Sequence, residues 1–405
     1  MNPGTAIKPR LLVLASTYPR WANDPEPGFV HELTRRMTET FRVLVLCPRS
    51  PGAARSEIRD GVEIIRYRYA PAALETLVND GGIVGNLKKT RWKWLLVPGF
   101  LLALLWNAWR IVRTHKPQVI HAHWLVPQGF VAALLSVVEP RTPPFLATSH
   151  GADLYTQRSR LLLAIKRFVT RRADTMTVVS EGMLDELSKQ NILPVRLEVQ
   201  SMGVDLTHSF RPSRDVERIP AQLLFVGRMV EKKGLHQLIA AMPTILAQRP
   251  DVTLVIAGFG PDEMMLRAQT KHLGVHDHVR FLGAVSQAQL PHLYRQSSIF
   301  VAPFIASACG DQDGLGLVSI EAAGCGCRLI LGNVPAVRSA FHETAEIQLV
   351  NALDTNALAN ACLRALTQPQ TDTASIEPLR ARFDWDVRAA AYASILHSIA
   401  TRANP

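Results

Sequence analysis

The chain predicts an α/β fold of the doubly wound kind, with two Rossmann-like domains in tandem. Three observations carry that expectation. At 405 residues the chain exceeds what one ordinary core organises, and two domains are the natural division. Short apolar runs alternate with helical patterns, as parallel α/β architectures require. The rhythm then restarts after a polar stretch from Phe210 to Pro220, flanked by prolines, which reads as a linker.

In the first half the apolar runs predict strands at Leu11–Ser16, Val43–Pro48, Val62–Tyr69, Val119–Trp124, Pro144–His150 and Thr175–Ser180. Helical patterns at Phe29–Thr38, Phe130–Val138 and Arg158–Arg172 fall between them. The second half predicts strands at Leu223–Gly227, Val252–Gly258, Val279–Gly283, Ile299–Phe304, Arg328–Gly332 and Glu346–Val350. The expected division is 1–210, 211–385, and a last helix over 386–405. In such sheets ligands bind in the crevice beyond the carboxyl ends of the strands.

Hydrophobic content of 47% with 20% charged residues excludes a disordered chain. Five scattered cysteines (Cys47, Cys309, Cys325, Cys327 and Cys362) lack paired C-x-x-C spacing and read as reduced thiols, mostly small buried side chains. With no secretory pattern at the N-terminus, a cytoplasmic protein is expected. The net charge of +11 points to anionic partners. Nucleic acid is not favoured, since neither zinc-finger spacing nor an interleaved aromatic motif occurs. Phosphorylated substrates and anionic lipid fit better.

One segment departs from the alternation. Lys88, Lys89, Arg91, Trp92, Lys93 and Trp94 lead into an apolar run reaching Trp109, interrupted by Pro98 and Gly99. It is shorter than the roughly 20 apolar residues of a membrane span. Two readings stand: an interfacial helix on an anionic membrane, which would make the protein peripheral, or a crossover helix buried against the sheet. Arg158, Arg160, Lys166, Arg167, Arg171 and Arg172 add a basic run that reads as a solvated face.

The chemistry concentrates between Val301 and Cys325, where an apolar strand, a polar loop and Asp313-Gly-Leu-Gly-Leu-Val-Ser-Ile-Glu321 follow one another. Asp313 and Glu321 bracket a glycine-rich turn that opens a helix. A helix start offers unpaired N–H groups and a positive dipole end to phosphate oxygens, and nearby carboxylates accept hydrogen bonds from hydroxyls. Phosphate and hydroxyls held together are what a nucleotide-sugar presents.

With Leu224-Phe-Val-Gly-Arg-Met-Val-Glu-Lys-Lys-Gly234, Val255-Ile-Ala-Gly-Phe-Gly-Pro261 and Val279-Arg-Phe-Leu-Gly283, that segment resembles the retaining glycosyltransferase family 4 of the GT-B fold. The resemblance extends through Ile120-His-Ala-His-Trp124, Ser149-His-Gly-Ala-Asp153, Ser201-Met-Gly-Val-Asp205 and Phe383-Asp-Trp385, so it covers nearly all of the chain. It implies that Arg228 and Lys233 meet the donor diphosphate, where their charge offsets that of the departing group. It implies that Glu321 holds the ribose hydroxyls and that amides near Gly314, Leu315 and Leu317 meet the diphosphate. Asp313 stands where the family usually carries Glu; contact with the transferred sugar and capping of the helix are both open to it. His150 matches the histidine beside the donor sugar. Gly28 matches the glycine loop after the first strand, with Pro27 in the place of a second glycine. His123 and Asp153 are candidates for the acceptor.

The expected function is retaining transfer of a hexose-type sugar from a nucleoside-diphosphate sugar to an acceptor hydroxyl, in lipid-linked or cell-surface polysaccharide synthesis. The carbohydrate or glycolipid acceptor is unnamed by the sequence. Asp311-Gln-Asp313 has the form of a D-x-D metal motif, but it lies inside the acidic motif with Arg228 and Lys233 at hand, and no metal or other cofactor is expected. A catalytically silent nucleotide-sugar-binding protein and a same-fold epimerase are the alternatives; transfer to an acceptor separates them.

Overall fold

The computed structural model describes residues 8–22, 24, 28–78, 82–156, 159–341, 347–368 and 377–402. Contacts divide the chain into two compact units. The first comprises Met1–Val179, Leu184–Gln200 and Arg388–Pro405; the second comprises Ser180–Met183 and Ser201–Val387.

The first unit is built on an eight-stranded sheet. Its strands are β1 (Arg10–Leu14), β2 (Arg42–Pro48), β3 (Ser56–Arg59), β4 (Val62–Tyr67), β5 (Val119–His123), β6 (Phe145–Ser149), β7 (Thr175–Val178) and β8 (Leu197–Val199). They lie in the order β3-β4-β2-β1-β5-β6-β7-β8, and all pairs are parallel except β3 with β4. The central strands are apolar along their length because helices cover both faces of a parallel sheet. The two strands that the apolar pattern does not reveal, β3 and β8, are the edges: Ser56-Glu-Ile-Arg59 is polar and β8 is exposed throughout.

The second unit carries six parallel strands: β9 (Ile219–Val226), β10 (Thr253–Ala257), β11 (Val279–Gly283), β12 (Ser297–Ala302), β13 (Arg328–Gly332) and β14 (Ile347–Val350). Their order is β11-β10-β9-β12-β13-β14. Counted within the unit this is 3-2-1-4-5-6, the order of a dinucleotide-binding fold. Leu223, Phe225, Leu254, Ile256, Val301 and Ile330 form its core with Leu238, Met242 and Ile245 of the helix Leu235–Gln248. Of the run expected to start at Glu346, that first residue lies outside the described residues, as does Arg158 at the start of the basic helix.

Two sequence expectations need correction here. The domain boundary drawn at 210 falls too late, since Ser201–Phe210 belong to the second unit. Backbone pairing explains it: Val204 N–H donates to Phe383 O at 2.8 Å and Trp385 N–H to Val204 O at 3.2 Å. Lys166, placed on a solvated face, is buried. Its Nζ donates to the carbonyls of Leu154 and Thr156, each at 3.0 Å, because an ammonium inside the protein requires such acceptors. The final helix, Trp385–Arg402, passes from one unit to the other. Within the first unit its Tyr392 donates to Gln200 O at 2.7 Å and stacks on His121.

The helix Leu96–His115 packs against the unit, as the buried crossover reading expects. Leu96, Phe100, Leu104, Ala108, Ile111 and Val112 are buried on one side. Large apolar side chains remain exposed on the other.

Asp384 ties the crossing segment down. Its carboxylate accepts from Leu206 N–H and Thr207 N–H at 3.1 Å, Thr207 Oγ1 at 3.0 Å and Asp386 N–H at 3.0 Å. Asp384→Ala strands these donors in a buried site and is expected to lower stability by about 2–3 kcal/mol, read as a lower urea midpoint. An unchanged midpoint would refute the role given to this carboxylate.

Candidate functional site

In the second sheet, β9 and β12 are neighbours whose crossovers run in opposite directions, β9 towards β10 and β12 towards β13. Their carboxyl-end loops diverge there and leave a crevice. The loop after β9 carries Arg228, Lys232 and Lys233; the loop after β12 carries Asp311 and Asp313 and leads into the helix Leu317–Gly324. Close backbone approach draws the loops together. Gly234, at φ 68°, packs so tightly on Pro303 that a Cβ would strike its carbonyl oxygen.

The charges within this crevice converge. Lys233 Nζ lies 2.7 Å from Asp313 Oδ2 and 4.9 Å from the Phe304 ring centroid. Lys232 Nζ lies 3.1 Å from Asp311 Oδ1 and 3.9 Å from Asp313 Oδ1. Burial pushes the Asp313 carboxyl up, but the charges of Lys233, Lys232 and Arg228 outweigh it and hold the group below the ordinary aspartate value. Among the described residues no hydrogen bond or ion pair engages the Arg228 guanidinium, although its charge reaches Asp313.

Glu321 has the opposite balance. Burial raises its carboxyl above the ordinary glutamate value, partly offset by Tyr294 and Gln287 and by the charge of Lys233. The Tyr294 hydroxyl donates to Oε2 at 2.9 Å and Gln287 Nε2 donates to Oε1 at 3.3 Å. The charge of Lys233 therefore reaches both acidic groups, and it pairs directly with Asp313.

The helix start sits in the same loop. Gly316, with φ 75° and ψ 49°, is its N-cap, and no side chain caps it. This corrects the capping reading of Asp313, whose carboxylate is committed to Lys233 instead. Gly314 and Leu315 are buried and Leu317 is half-buried around that start. The first N–H groups of a helix have no intrahelical acceptor and point towards an incoming anion. Ser319, in the first turn, keeps its Oγ buried with no partner among the described residues. Sequence reasoning missed Lys232, Gln287, Tyr294 and Ser319. Only Lys232 and Ser319 lie inside a motif that could have drawn attention to them.

The switch in the first sheet lies between β1 and β5. His150 follows β6, and its Nε2 lies 3.0 Å from Nδ1 of His123, with the two rings stacked at 5.2 Å. Phe29 and Trp124 close around the His150 ring at 5.0 and 4.9 Å. His121 Nε2 bonds Thr148 Oγ1 at 2.7 Å. Burial pushes His121 and His150 down to about 3 and drives His123 well below its ordinary value, so all three rings are neutral at physiological pH.

Three expectations change in this unit. His123 is fully buried, and it supports His150 rather than facing an acceptor. Asp153 is buried too, and its oxygens accept from Leu125 N–H at 2.7 Å, Ser149 Oγ at 2.9 Å and His150 N–H at 3.2 Å. It orders the backbone that carries His150 instead of binding an acceptor. At Gly28 a Cβ would meet only Pro19 at 3.9 Å, so packing does not require glycine there. Pro27 lies outside the described residues.

Chemically, the second unit offers cations and a helix start for a phosphorylated group, beside carboxylates that accept hydroxyls. Among the described residues, no three His, Cys, Asp or Glu side chains gather as a metal site. Asp311 and Asp313 are each paired with a lysine.

Comparison with known proteins agrees with this geometry. The model for Glycosyltransferase Family 4 matches residues 29–208, and that for Glycosyl transferases group 1 matches residues 210–382. Glycogen synthase of Mycobacterium tuberculosis is 26% identical over 95% of this chain and 94% of its own length. A GDP-mannose-dependent alpha-(1-6)-phosphatidylinositol monomannoside mannosyltransferase of the same organism is 28% identical over 65% of this chain and 74% of its own. Among solved structures, HepE of Anabaena in complex with UDP and glucose shares the fold, with a TM-score of 0.72 at 17% identity, over 96% of this chain and 100% of that one. Two family models in tandem, on two parallel-sheet units of GT-B type, place the chain in glycosyltransferase family 4, the glycosyl transferases group 1.

Proposed function

We propose that this glycosyltransferase moves a hexose-type sugar from a nucleoside-diphosphate sugar to a hydroxyl of a carbohydrate or glycolipid, retaining the anomeric configuration. The observation that carries the reading is the 2.7 Å pairing of Lys233 with Asp313 in the loop that opens the Leu317–Gly324 helix, on which Glu321 lies. A donor diphosphate draws Lys233 from Asp313, and Arg228 adds a second cation as negative charge grows on the leaving group. Glu321, held by Tyr294 and Gln287, accepts the ribose hydroxyls. Asp313, freed from Lys233, accepts from the sugar. The proposed donor and acceptor classes are in keeping with what similar proteins are named for: HepE, which shares the fold, was solved with UDP and glucose, and two relatives are named for glycogen and for a phosphatidylinositol mannoside.

The proposed course needs no covalent nucleophile from the protein. The retaining course proposed is front-face attack, in which the departing phosphate oxygen takes the acceptor proton. Lysine and arginine supply the positive charge, so the reaction proceeds without a metal. On the first unit, the neutral His150 is the candidate group for supporting the anomeric centre. The cytoplasm is the proposed location, in keeping with five cysteines that are all free thiols.

Purified protein should show a rise in melting temperature with nucleoside diphosphates or their sugars, by mass action on the folded state. Lys233→Ala and Arg228→Ala should each lower kcat/KM for sugar transfer by about 10²–10³-fold, as loss of a preorganised charge does elsewhere. Glu321→Ala should abolish most of the nucleotide-dependent thermal shift. Binding with no transfer to any acceptor would replace the enzyme with the silent binding protein.

The histidines give a pH signature. Their folded values lie below the unfolded 6.5, so the unfolded chain takes up more protons as pH falls. Their contribution to stability is complete above pH 6.5 and shrinks as pH falls from there towards about 3, by up to about 1.4 kcal/mol per pH unit for each ring. NMR titration of labelled histidines should show His121, His123 and His150 neutral down to pH 4.5, and a midpoint near 6.5 for any of them would refute it.

A further inference from the structure

We infer that the outer face of the helix Leu96–His115, with the turn Arg91–Leu95 before it, docks on an anionic lipid bilayer and lies in its interface. The inference is independent of the donor site. Leu95 is 81% exposed, Leu102 67%, Trp106 61% and Trp94 57%, an apolar ridge open to solvent. Leu95, Leu102 and Trp106 follow helical spacing, so they share one face. At the far end, Trp106 and Trp109 pack at 4.9 Å, and Trp109 Nε1 donates to Glu139 Oε2 at 3.0 Å. That contact brings in the end of the helix Phe130–Val138, where Val137 and Val138 are also exposed. Isolated exposed apolar residues need no explanation, but a contiguous ridge does.

Charge selects the occupant. Between Asp80 and Glu139 the sequence contains no acidic residue. Lys88, Lys89, Arg91, Arg110, Arg113 and Lys116 are exposed along this same stretch. Lys93 is spoken for by Thr76 O at 2.9 Å and Asn86 Oδ1 at 2.7 Å. Tryptophans and bulky aliphatics flanked by exposed lysine and arginine match the headgroup layer of an anionic leaflet.

The helix is long and apolar enough to cross a membrane by composition. Its inner stripe argues against a span. Phe100 packs on Tyr67 and Tyr69 at 5.7 and 5.3 Å, and Leu104 and Ala108 are fully buried. A Cβ at Gly99 would lie 2.9 Å from Tyr69 O, so the helix backbone rests directly on the unit. Pulling it into a bilayer would open that core. Only the outer face remains for lipid.

The test uses the full chain with vesicles of equimolar phosphatidylglycerol and phosphatidylcholine, against vesicles of phosphatidylcholine alone. Cosedimentation and a blue shift of tryptophan emission are expected with the anionic vesicles, weakening as salt rises. The combined variant Trp94→Ser, Leu102→Ser, Trp106→Ser should bind at least about tenfold more weakly. Lys88→Gln with Lys89→Gln and Arg91→Gln should remove the preference for anionic lipid. Both variants should keep the wild-type melting temperature, which shows that they fold. Absence of vesicle binding by the wild-type chain would overturn the inference. So would self-association, seen by light scattering and abolished by the apolar variant, because a second copy would then cover the face.

Discussion

The contact between Lys233 and Asp313 is the interaction on which the donor site depends. The two residues belong to loops after β9 and β12, far apart in sequence, and only the strand order makes them neighbours. Parallel strands joined by right-handed crossovers must part at the point where winding reverses. Every charged group of the cluster is placed by that parting. The ion pair satisfies a half-buried lysine and aspartate, since either alone would be costly to keep charged. It also keeps Lys233 extended into the crevice, where an anion with more oxygens than a carboxylate can compete for it.

The first unit uses burial in the reverse sense. His121, His123 and His150 are neutral because burial disfavours their charged forms; the ring partners of this trio are a hydroxyl, one another and aromatic rings. A pair of neutral imidazoles shares one proton across the His123–His150 bond, so the state of one ring fixes which nitrogen of the other carries hydrogen. Asp153 fixes the turn that presents His150 through hydrogen bonds to Leu125 N–H and His150 N–H. Position and tautomer of His150 are thus set from inside the unit. That is the type of support a group facing a developing positive charge needs.

Much of this was legible in the sequence, and the exceptions share physical causes. Central strands announced themselves because both of their faces are buried; β3 and β8 did not, since an edge strand need not be apolar. Motif spacing put Arg228, Lys233, Asp313 and Glu321 near a helix start. It could not show that Asp313 pairs with Lys233, which requires the strand order. His123 was misplaced because strand-end position does not tell which side chains reach solvent when both sheet faces are covered. Lys166 was misread as a solvated charge; nothing in an amphipathic helix pattern marks a lysine that reaches inward to carbonyls.

The aspartate at position 313 bears on how the donor is held. Its side chain is one methylene shorter than the glutamate that the family usually places there. In this chain the gap to the cations is closed by Lys232 and Lys233 together, the first bracing the loop through Asp311 and the Gln312 carbonyl at 3.3 Å, the second meeting Asp313 directly. A shorter acid held by two lysines draws the loop towards β9 and leaves Arg228 as the cation with no hydrogen-bond or ion-pair partner among the described residues. The first anion to arrive therefore meets Arg228 without breaking any bond, and only then contends with Asp313 for Lys233. On the function proposed for this site, capture by arginine precedes exchange at lysine, because the first step costs only desolvation and the second must replace an existing ion pair.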